Sequence, residues 1–360
     1  MHRRDFAKLT ALALAATRLP AQSPATRPKP IGFAAVGLGT ISGIFSQGLL
    51  KAADAKLTAV VTGHPDTKGK AYTDQYNLAP HSVYTYDTYN SIRDNPAIDA
   101  VYIGLPNSMH CDFTVRAAEA GKHVLCEKPM AISSAECRRM IDACRAANVH
   151  LMIAYRIWYD PTFAHALALI RSGALGQIQS FRGSFIGNFP ANQWRLTKKY
   201  GGGGSLFDLG IYPLNTMRYF AGEDPTAYTA VVSTRETTGR FSEVEQSVEF
   251  TLKFPSGIIA SAGSSYGADG TNRIEVSGDK GMLVISPAFG YDGIVLSGHI
   301  DGDAINYTAT GKMPFQFTLE ADHLADCIRH HTTPRTPGEL GLADLESIEA
   351  IYKAAGTPIA

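Results

Sequence analysis

Three side chains stand out as chemically capable. Lys128 lies in the run His123–Met130, HVLCEKPM, and Asp208 and Tyr212 lie four residues apart in GGGGSLFDLGIY, residues 201–212. A spacing of four places the carboxylate and the phenol on one helix face. A phenol, a carboxylate and a lysine brought together suit carbonyl/alcohol redox chemistry. The ionised phenol takes the proton of an alcohol, and a nearby ammonium favours that ionised form by charge. From the residues alone a second reading stays open, in which Asp208 caps a helix and Tyr212 packs in a core.

The elements needed to position this trio are legible around it. Val124–Cys126 reads as a short buried strand that runs at once into Glu127, Lys128 and Pro129. A charged pair at the end of a strand sits at the carboxyl edge, where open α/β sheets bind ligands. Pro129 fixes its own φ and biases Lys128 toward extended backbone. Ser205 is a good N-cap for a helix through Asp208 and Tyr212, and Pro213 makes that helix imperfect.

Upstream, Ile31–Val36 is a continuous apolar run, as expected of a parallel strand covered on both faces. Gly37-Leu38-Gly39-Thr40-Ile41-Ser42 follows, then a helix predicted over Gly43–Ala53. Two glycines between a first strand and a first helix allow a tight turn and close approach of a pyrophosphate to the helix N-terminus. The second strand, Leu57–Thr62, ends Val61-Thr62-Gly63-His64 without the carboxylate that bonds a ribose 2′-hydroxyl, and Lys68 and Lys70 follow. A hydroxyl and cations suit a 2′-phosphate, which favours NADP(H) over NAD(H). The alternative leaves both lysines on a solvated helix face. Ala100–Gly104 is another buried strand, and Leu105-Pro106-Asn107-Ser108-Met109-His110 leads into a helix capped by Asn107 or Ser108. This loop lies at the same carboxyl edge, so it passes the nicotinamide end. His110 there reads as a ligand, an acid–base group or an ordinary cap-region histidine. A helix over Ser133–Ala147 and a strand at Val149–Ala154 complete a doubly wound parallel sheet over residues 31–155.

The composition then changes. A helix at Pro161–Ser172 precedes β-type runs at Ile178–Ile186, Ala227–Thr234, Val244–Phe254, Ile258–Ser265, Asn272–Ser277 and Gly281–Ser286. Hairpin signals separate them, which predicts a large, mostly antiparallel sheet in an α+β domain over residues 156–360. Two amphipathic helices, Gln316–His330 and Gly341–Ala355, cover it or return to the first domain.

The chain has 360 residues and zero formal net charge, so nothing points to a nucleic-acid partner. Its five cysteines form no metal spacing, and their odd number argues against a disulfide framework. No metal motif, repeat or transmembrane segment is present. The N-terminus is different in kind. Arg3-Arg4-Asp5-Phe6-Ala7-Lys8, then the apolar Leu9–Ala16, then Leu19-Pro20-Ala21 read as a twin-arginine export signal over residues 1–21. That route carries folded protein, so a cofactor can be acquired before export to the periplasm. Residues 22–30, QSPATRPKP, are a Pro-rich arm.

The order of these motifs resembles the Gfo/Idh/MocA oxidoreductases, and within them the glucose–fructose oxidoreductase branch. The resemblance spans residues 31–355 and rests on VYIGLPNSMH, GKHVLCEKPMA, LMIAYRIWYDP, QWRL, GGGGSLFDLGIYPLN and PGELGLADLESIEAIY. It implies a Rossmann domain, a tightly but non-covalently held NADP(H), and a periplasmic homo-oligomer, dimer or tetramer, joined through the sheet face. Lys128 matches the EKP lysine, Tyr212 the catalytic tyrosine and Asp208 its carboxylate partner. Thr62 and Lys68 match a hydroxyl and a lysine that hold the 2′-phosphate. The implied cofactor contacts further include Gly37, Leu38, Gly39, Thr40 and Ile41 of the first turn and Gly63 after Thr62. Leu105, Pro106, Asn107 and His110 follow, then Glu127, Lys128, Arg156, Trp194 and Arg195. Many relatives carry histidine where Tyr212 stands. Residues 184–192 and 235–243 depart from the branch, so the sugar stays open. The implied activity oxidises an aldose such as glucose to its lactone and reduces a second sugar such as fructose in a ping-pong cycle. The alternatives are an NADP-dependent aldose dehydrogenase with exchangeable cofactor, an NAD-dependent glycosidase of the same fold, and a sugar-sensing regulator.

Overall fold

The structure, a computed structural model, describes residues 28–357 apart from Thr271 and Pro314. The export signal at 1–21 and most of the arm at 22–30 lie outside the described residues. A parallel sheet is built first. Its strands are β1 (Ile31–Val36), β2 (Ala55–Val61), β3 (Val83–Tyr84), β4 (Ala100–Ile103), β5 (His123–Glu127) and β6 (Leu151–Ala154), in the order β3-β2-β1-β4-β5-β6. This is the doubly wound order, and its switch point between β1 and β4 opens a crevice at the carboxyl edge. Apolar runs such as Phe33–Val36 and Ala100–Ile103 are wholly buried because helices cover both faces. Those helices are α1 (Thr40–Leu49), α2 (Lys70–Tyr76), α3 (His110–Glu119) and α4 (Ser134–Ala146). Ser133 Oγ accepts from Glu136 N at 3.3 Å and caps α4.

α5 (Pro161–Arg171) starts behind Asp160, whose carboxylate accepts from Thr162 N at 2.8 Å. It leads to the second sheet. That sheet holds β7 (Ile178–Ile186), β8 (Ala227–Ser233), β9 (Ser247–Lys253), β10 (Ile259–Ser265), β11 (Asn272–Gly278), β12 (Gly281–Ile285), β13 (Val295–Ile300) and β14 (Asp303–Thr308). The order is β14-β13-β12-β11-β7-β10-β9-β8, antiparallel throughout except where β10 runs parallel to β7. The α/β plus α+β architecture expected from the sequence is therefore present. Between β7 and β8 lie a short α6 (Lys198–Gly201) and α7 (Ile211–Ala221).

Two closing helices, α8 (Phe315–His330) and α9 (Gly338–Ala354), tie the halves together. α8 packs on α1, and Asp322 accepts from Ala53 N and Asp54 N at 2.9 and 2.7 Å. α9 packs on α4, β6 and β8. At its centre Asp344 is fully buried and accepts from Tyr155, Arg218 and Asn215. One continuous apolar core runs from Phe33 and Val124 of the first sheet through Trp158 and Leu214 to Phe250 and Leu283 of the second. All five cysteines are free thiols inside this fold.

Some elements depart from the sequence reading. β13 and β14 are additional strands, joined through Asp301-Gly302, a turn dipeptide with positive φ at both residues. α1 begins at Thr40, immediately after the glycine turn, rather than at Gly43. Neither Asn107 nor Ser108 caps α3; a 3-10 turn, Asn107–Met109, precedes it, and the Asn107 amide donates to Gly201 O at 2.9 Å.

Candidate active site

The first glycine turn is shaped by sterics. Gly37 has φ +82°, and a Cβ there would lie 2.6 Å from Leu105 Cδ2. At Gly39, by contrast, a Cβ would meet nothing within 4 Å, so the approach to the α1 N-terminus is open. No side chain caps α1, which leaves its first N–H groups facing the crevice. Gly37, Leu38, Gly39, Thr40 and Ile41 all line one cavity of about 620 Å³. Open backbone donors, a helix dipole and that volume fit the pyrophosphate and nicotinamide of a dinucleotide.

At the far end of the cavity lie Thr62, His64 and Lys68. Thr62 Oγ1 accepts from His64 N at 3.1 Å, and Lys68 Nζ donates to Leu38 O at 3.1 Å. No carboxylate pairs with Lys68 among the described residues, so its charge is available to a phosphate. Lys70, expected beside it, instead pairs with Asp74 at 2.9 Å on the exposed face of α2. Gly63 does not line the cavity; a Cβ there would face the Tyr86 ring at 3.3 Å.

β5 delivers the charged pair. Tyr102 on β4 stacks on Phe45 at 3.8 Å and donates to Glu127 Oε1 at 2.6 Å. Glu127 Oε2 accepts from Lys128 N at 3.1 Å. Burial pushes the Glu127 carboxyl above its ordinary range. His110 does not reach the cavity. It is fully buried, with Nδ1 at 2.9 Å from Pro129 O and Nε2 at 2.9 Å from Leu105 O. It joins the Leu105–Asn107 loop to the turn after β5, a tethering position rather than a proton-transfer or cofactor-binding one. Leu105, Pro106, Asn107, Glu127 and Lys128 do line the cavity.

Facing them is a wide π turn, Leu206–Gly210, that leads into α7. Ser205 does not cap it; its hydroxyl lies 3.1 Å from Ser264 Oγ. The cap comes from elsewhere in the chain. Glu245 accepts from Gly204 N at 2.7 Å and from Leu206 N at 3.0 Å. Gly204 is required there, because a Cβ would lie 2.1 Å from Glu245 O. Pro213 offers no N–H back to this turn. One of the turn's carbonyls, Asp208 O, accepts from Lys128 Nζ at 2.8 Å.

The trio does meet. Asp208 Oδ1 lies 2.9 Å from Lys128 Nζ, and its Oδ2 lies 2.6 Å from Arg195 Nη1. Burial raises the Asp208 carboxyl, but Lys128 and Arg195 outweigh burial and hold it well below the usual range. Burial lowers the Lys128 ammonium, and Asp208 and Tyr212 more than restore it. Lys128 Nζ sits over the face of the Tyr212 ring, 4.6 Å from its centroid. The Tyr212 hydroxyl accepts instead from Arg156 Nη2 at 3.2 Å. Arg156, Trp194 and Arg195, expected at the cofactor, also line the cavity. Aromatic rings that the sequence reading passed over complete it: Tyr86, Phe185, Phe189, Phe289 and Tyr291. Phe185 and Phe289 flank Tyr212 with ring centroids 5.5 and 5.4 Å away. Among the described residues no three His, Cys, Asp or Glu gather as metal ligands would.

A dinucleotide-shaped crevice that ends on a lysine, a carboxylate and a phenol defines a two-domain, nucleotide-dependent oxidoreductase. Comparison with known proteins agrees. Residues 31–155 match the NAD-binding Rossmann domain of the GFO/IDH/MocA oxidoreductases, and residues 163–284 match the GFO/IDH/MocA C-terminal domain. The chain belongs to the Gfo/Idh/MocA oxidoreductase family. It is 30% identical over 345 residues to a D-xylose 1-dehydrogenase (NADP(+)) of Haloarcula marismortui, covering 93% of this chain and 94% of that one. It is 42% identical to an aldose–aldose oxidoreductase from Caulobacter crescentus, solved in complex with glycerol. That match has a TM-score of 0.88 and covers 91% of this chain and 98% of the other. A levoglucosan dehydrogenase solved with NADH and L-sorbose shares the fold at 24% identity and a TM-score of 0.81.

Proposed function

We propose that the protein is a sugar oxidoreductase that keeps NADP(H) bound, oxidises an aldose at C1 to its lactone and then reduces a second sugar in the same site. The observation that carries this reading is Tyr212 on the cavity wall, its ring face under the Lys128 ammonium and its hydroxyl accepting from the Arg156 guanidinium. When bound, the nicotinamide supplies the hydride acceptor and donor. The first turn and α1 would hold the pyrophosphate, and Thr62 and Lys68 would hold the 2′-phosphate. Tyr212 Oη takes the proton of the sugar C1 hydroxyl and returns one to the carbonyl of the second sugar. Asp208 fixes Lys128 through two hydrogen bonds and so places the ammonium over the ring. The aromatic rings around Tyr212 exclude water and offer apolar surface to the sugar's C–H face. The NADP-named xylose dehydrogenase and the aldose–aldose oxidoreductase among the relatives support an aldose as substrate.

The second reading, an aldose dehydrogenase with freely exchanging NADP, is favoured by the dehydrogenase relative. One measurement separates them. The purified protein is given glucose or xylose and then a second sugar, fructose or another aldose, without added cofactor, while reduced-nicotinamide absorbance is followed. A rise and then a fall support the resident-cofactor cycle; a signal that requires added NADP supports the dehydrogenase. Tyr212→Phe is expected to lower turnover by about 10²-fold or more while leaving cofactor binding intact. Near-normal turnover would refute the assignment.

Periplasmic export through Arg3-Arg4 and assembly into a homo-oligomer belong to the same proposal. Arg3→Lys with Arg4→Lys is expected to leave the protein in the cytoplasmic fraction, and sedimentation of the mature protein reports the oligomer.

A further inference from the structure

Arg156 follows β6 at the carboxyl edge and is only 5% exposed. Its Nη1 donates to Gly290 O at 2.6 Å and Gln316 Oε1 at 2.7 Å. Its Nη2 donates to Phe289 O at 2.7 Å and Tyr212 Oη at 3.2 Å. All four partners are formally neutral. Among the described residues Arg156 forms no ion pair with a carboxylate, whereas Lys128 and Arg195 share Asp208. A guanidinium stays charged in a protein, and a buried charge without a counter-ion is costly. Of its four partners, only the Tyr212 hydroxyl can become an anion.

We propose that Arg156 is the positioning residue of Tyr212, donating to Tyr212 Oη and serving as the counter-charge when the hydroxyl gives up its proton in the transfer. This rests on the reading of Tyr212 as the proton-transfer group. Lys128 sits over the ring face rather than at the hydroxyl, is held by the Asp208 carboxylate that it shares with Arg195, and is left to orient the sugar. Other ionisable groups face this pair from every side. The Tyr291 ring lies 4.4 Å beneath the Arg156 guanidinium. Glu127 at the end of β5 and Glu320 on α8 also act on Arg156. Neither of the two competes well as a counter-ion. Glu320 has both carboxyl oxygens buried without a hydrogen-bond partner among the described residues, and burial, then Glu127, pushes it well above the ordinary range. Glu127 is raised by burial and occupied by Tyr102.

The test is the pH profile of kcat/KM for aldose oxidation in wild type, Arg156→Gln, Arg156→Lys and Tyr212→Phe, with cofactor retention checked in each. Arg156→Gln is expected to move the acidic limb to higher pH by roughly one unit or more. Below the limb it loses about 10-fold for each unit, and it recovers on the alkaline plateau. Arg156→Lys keeps the charge in the core but loses the planar fork, so its limb moves by about half a unit. It decides the matter if the glutamine variant does not fold. A limb that stays at the wild-type pH, whatever the loss of turnover, makes Arg156 a scaffold residue and overturns the inference. If Tyr212→Phe keeps turnover, the functional reading fails first and this inference fails with it. If Tyr212→Phe is inactive and the Arg156 limbs do not move, only this inference fails.

Discussion

In the proposed function, Thr62 and Lys68 would set the preference for a 2′-phosphate by what is missing between them. No carboxylate follows β2 where NAD-preferring folds place one, and Lys68 has no acidic partner among the described residues. Thr62→Asp is expected to weaken NADPH binding by about 10-fold or more relative to NADH, and Lys68→Met to do the same more mildly. Fluorescence titration of cofactor-stripped protein measures both; an unchanged ratio would place the phosphate elsewhere. At this scale the site was readable where a polar residue interrupts an apolar strand end, as Glu127 and Lys128 do after Val124–Cys126. The same signal was present at Tyr155-Arg156 after β6. What could not be read was its meaning, because the bond from Arg156 to Tyr212 spans 56 residues and exists only once the helix bearing Tyr212 folds over the sheet. Phe185, Phe289 and Tyr291 were passed over for a similar reason. An aromatic residue on or beside a strand carries no mark of which face lines a cavity.

At the scale of elements, Glu245 shows how a local rule loses to tertiary structure. Ser205 has the right chemistry for a cap, but a carboxylate just ahead of β9 satisfies two N–H groups at once and displaces it. The edge hairpin β13–β14 was announced by Asp301-Gly302, but its strands alternate weakly and include an interior glycine, Gly298. Another element sets a pH dependence. At the start of β5, His123 Nδ1 accepts from His150 N at 2.9 Å, so protonation would break that bond. Burial first, then the neighbouring His150, lowers the His123 imidazole to about 4 from an ordinary 6.5. The folded state thus prefers the neutral ring, and the unfolded chain binds the proton first as pH falls. This stability is complete above pH 6.5 and is lost as pH drops from 6.5 toward 4. The loss is about 2 kcal/mol after screening. Chemical unfolding at pH 7 and pH 4.5 is expected to show it, and His123→Gln to flatten it; an equal pH slope in the variant would refute the assignment.

The whole molecule has two sheets but one main core that spans both, closed by helices that come last in sequence. Asp344 on α9 meets Tyr155 after β6 and Asn215 and Arg218 on α7, so a single buried carboxylate joins both halves. Asp344→Ala would leave the Tyr155 hydroxyl and the Asn215 amide without their buried acceptor and Arg218 with only the exposed Asp224, and is expected to cost roughly 3 kcal/mol. A continuous core also predicts a single cooperative unfolding transition by calorimetry rather than one for each sheet. Two resolved transitions would contradict it. The division into a doubly wound sheet and an antiparallel one was readable from strand spacing and from the change in apolar pattern near residue 156. That α8 and α9 would join the halves was not, because an amphipathic pattern names a buried face but not the surface that buries it.

The buried thiols have a use of their own. Cys126 lies on the interior strand β5, Cys111, Cys137 and Cys144 on the helices covering that sheet, and Cys327 on the closing helix α8. Burial raises every one of them above the ordinary thiol value, so each is doubly shielded from alkylating reagents. Each reacts only when its own element opens. The five cysteines are therefore a set of clocks distributed through the first sheet and its lid. With the rates resolved by peptide mass spectrometry, Cys327 is expected to react ahead of Cys126. The difference would time how often the closing helices lift away from the nucleotide fold while its sheet stays shut.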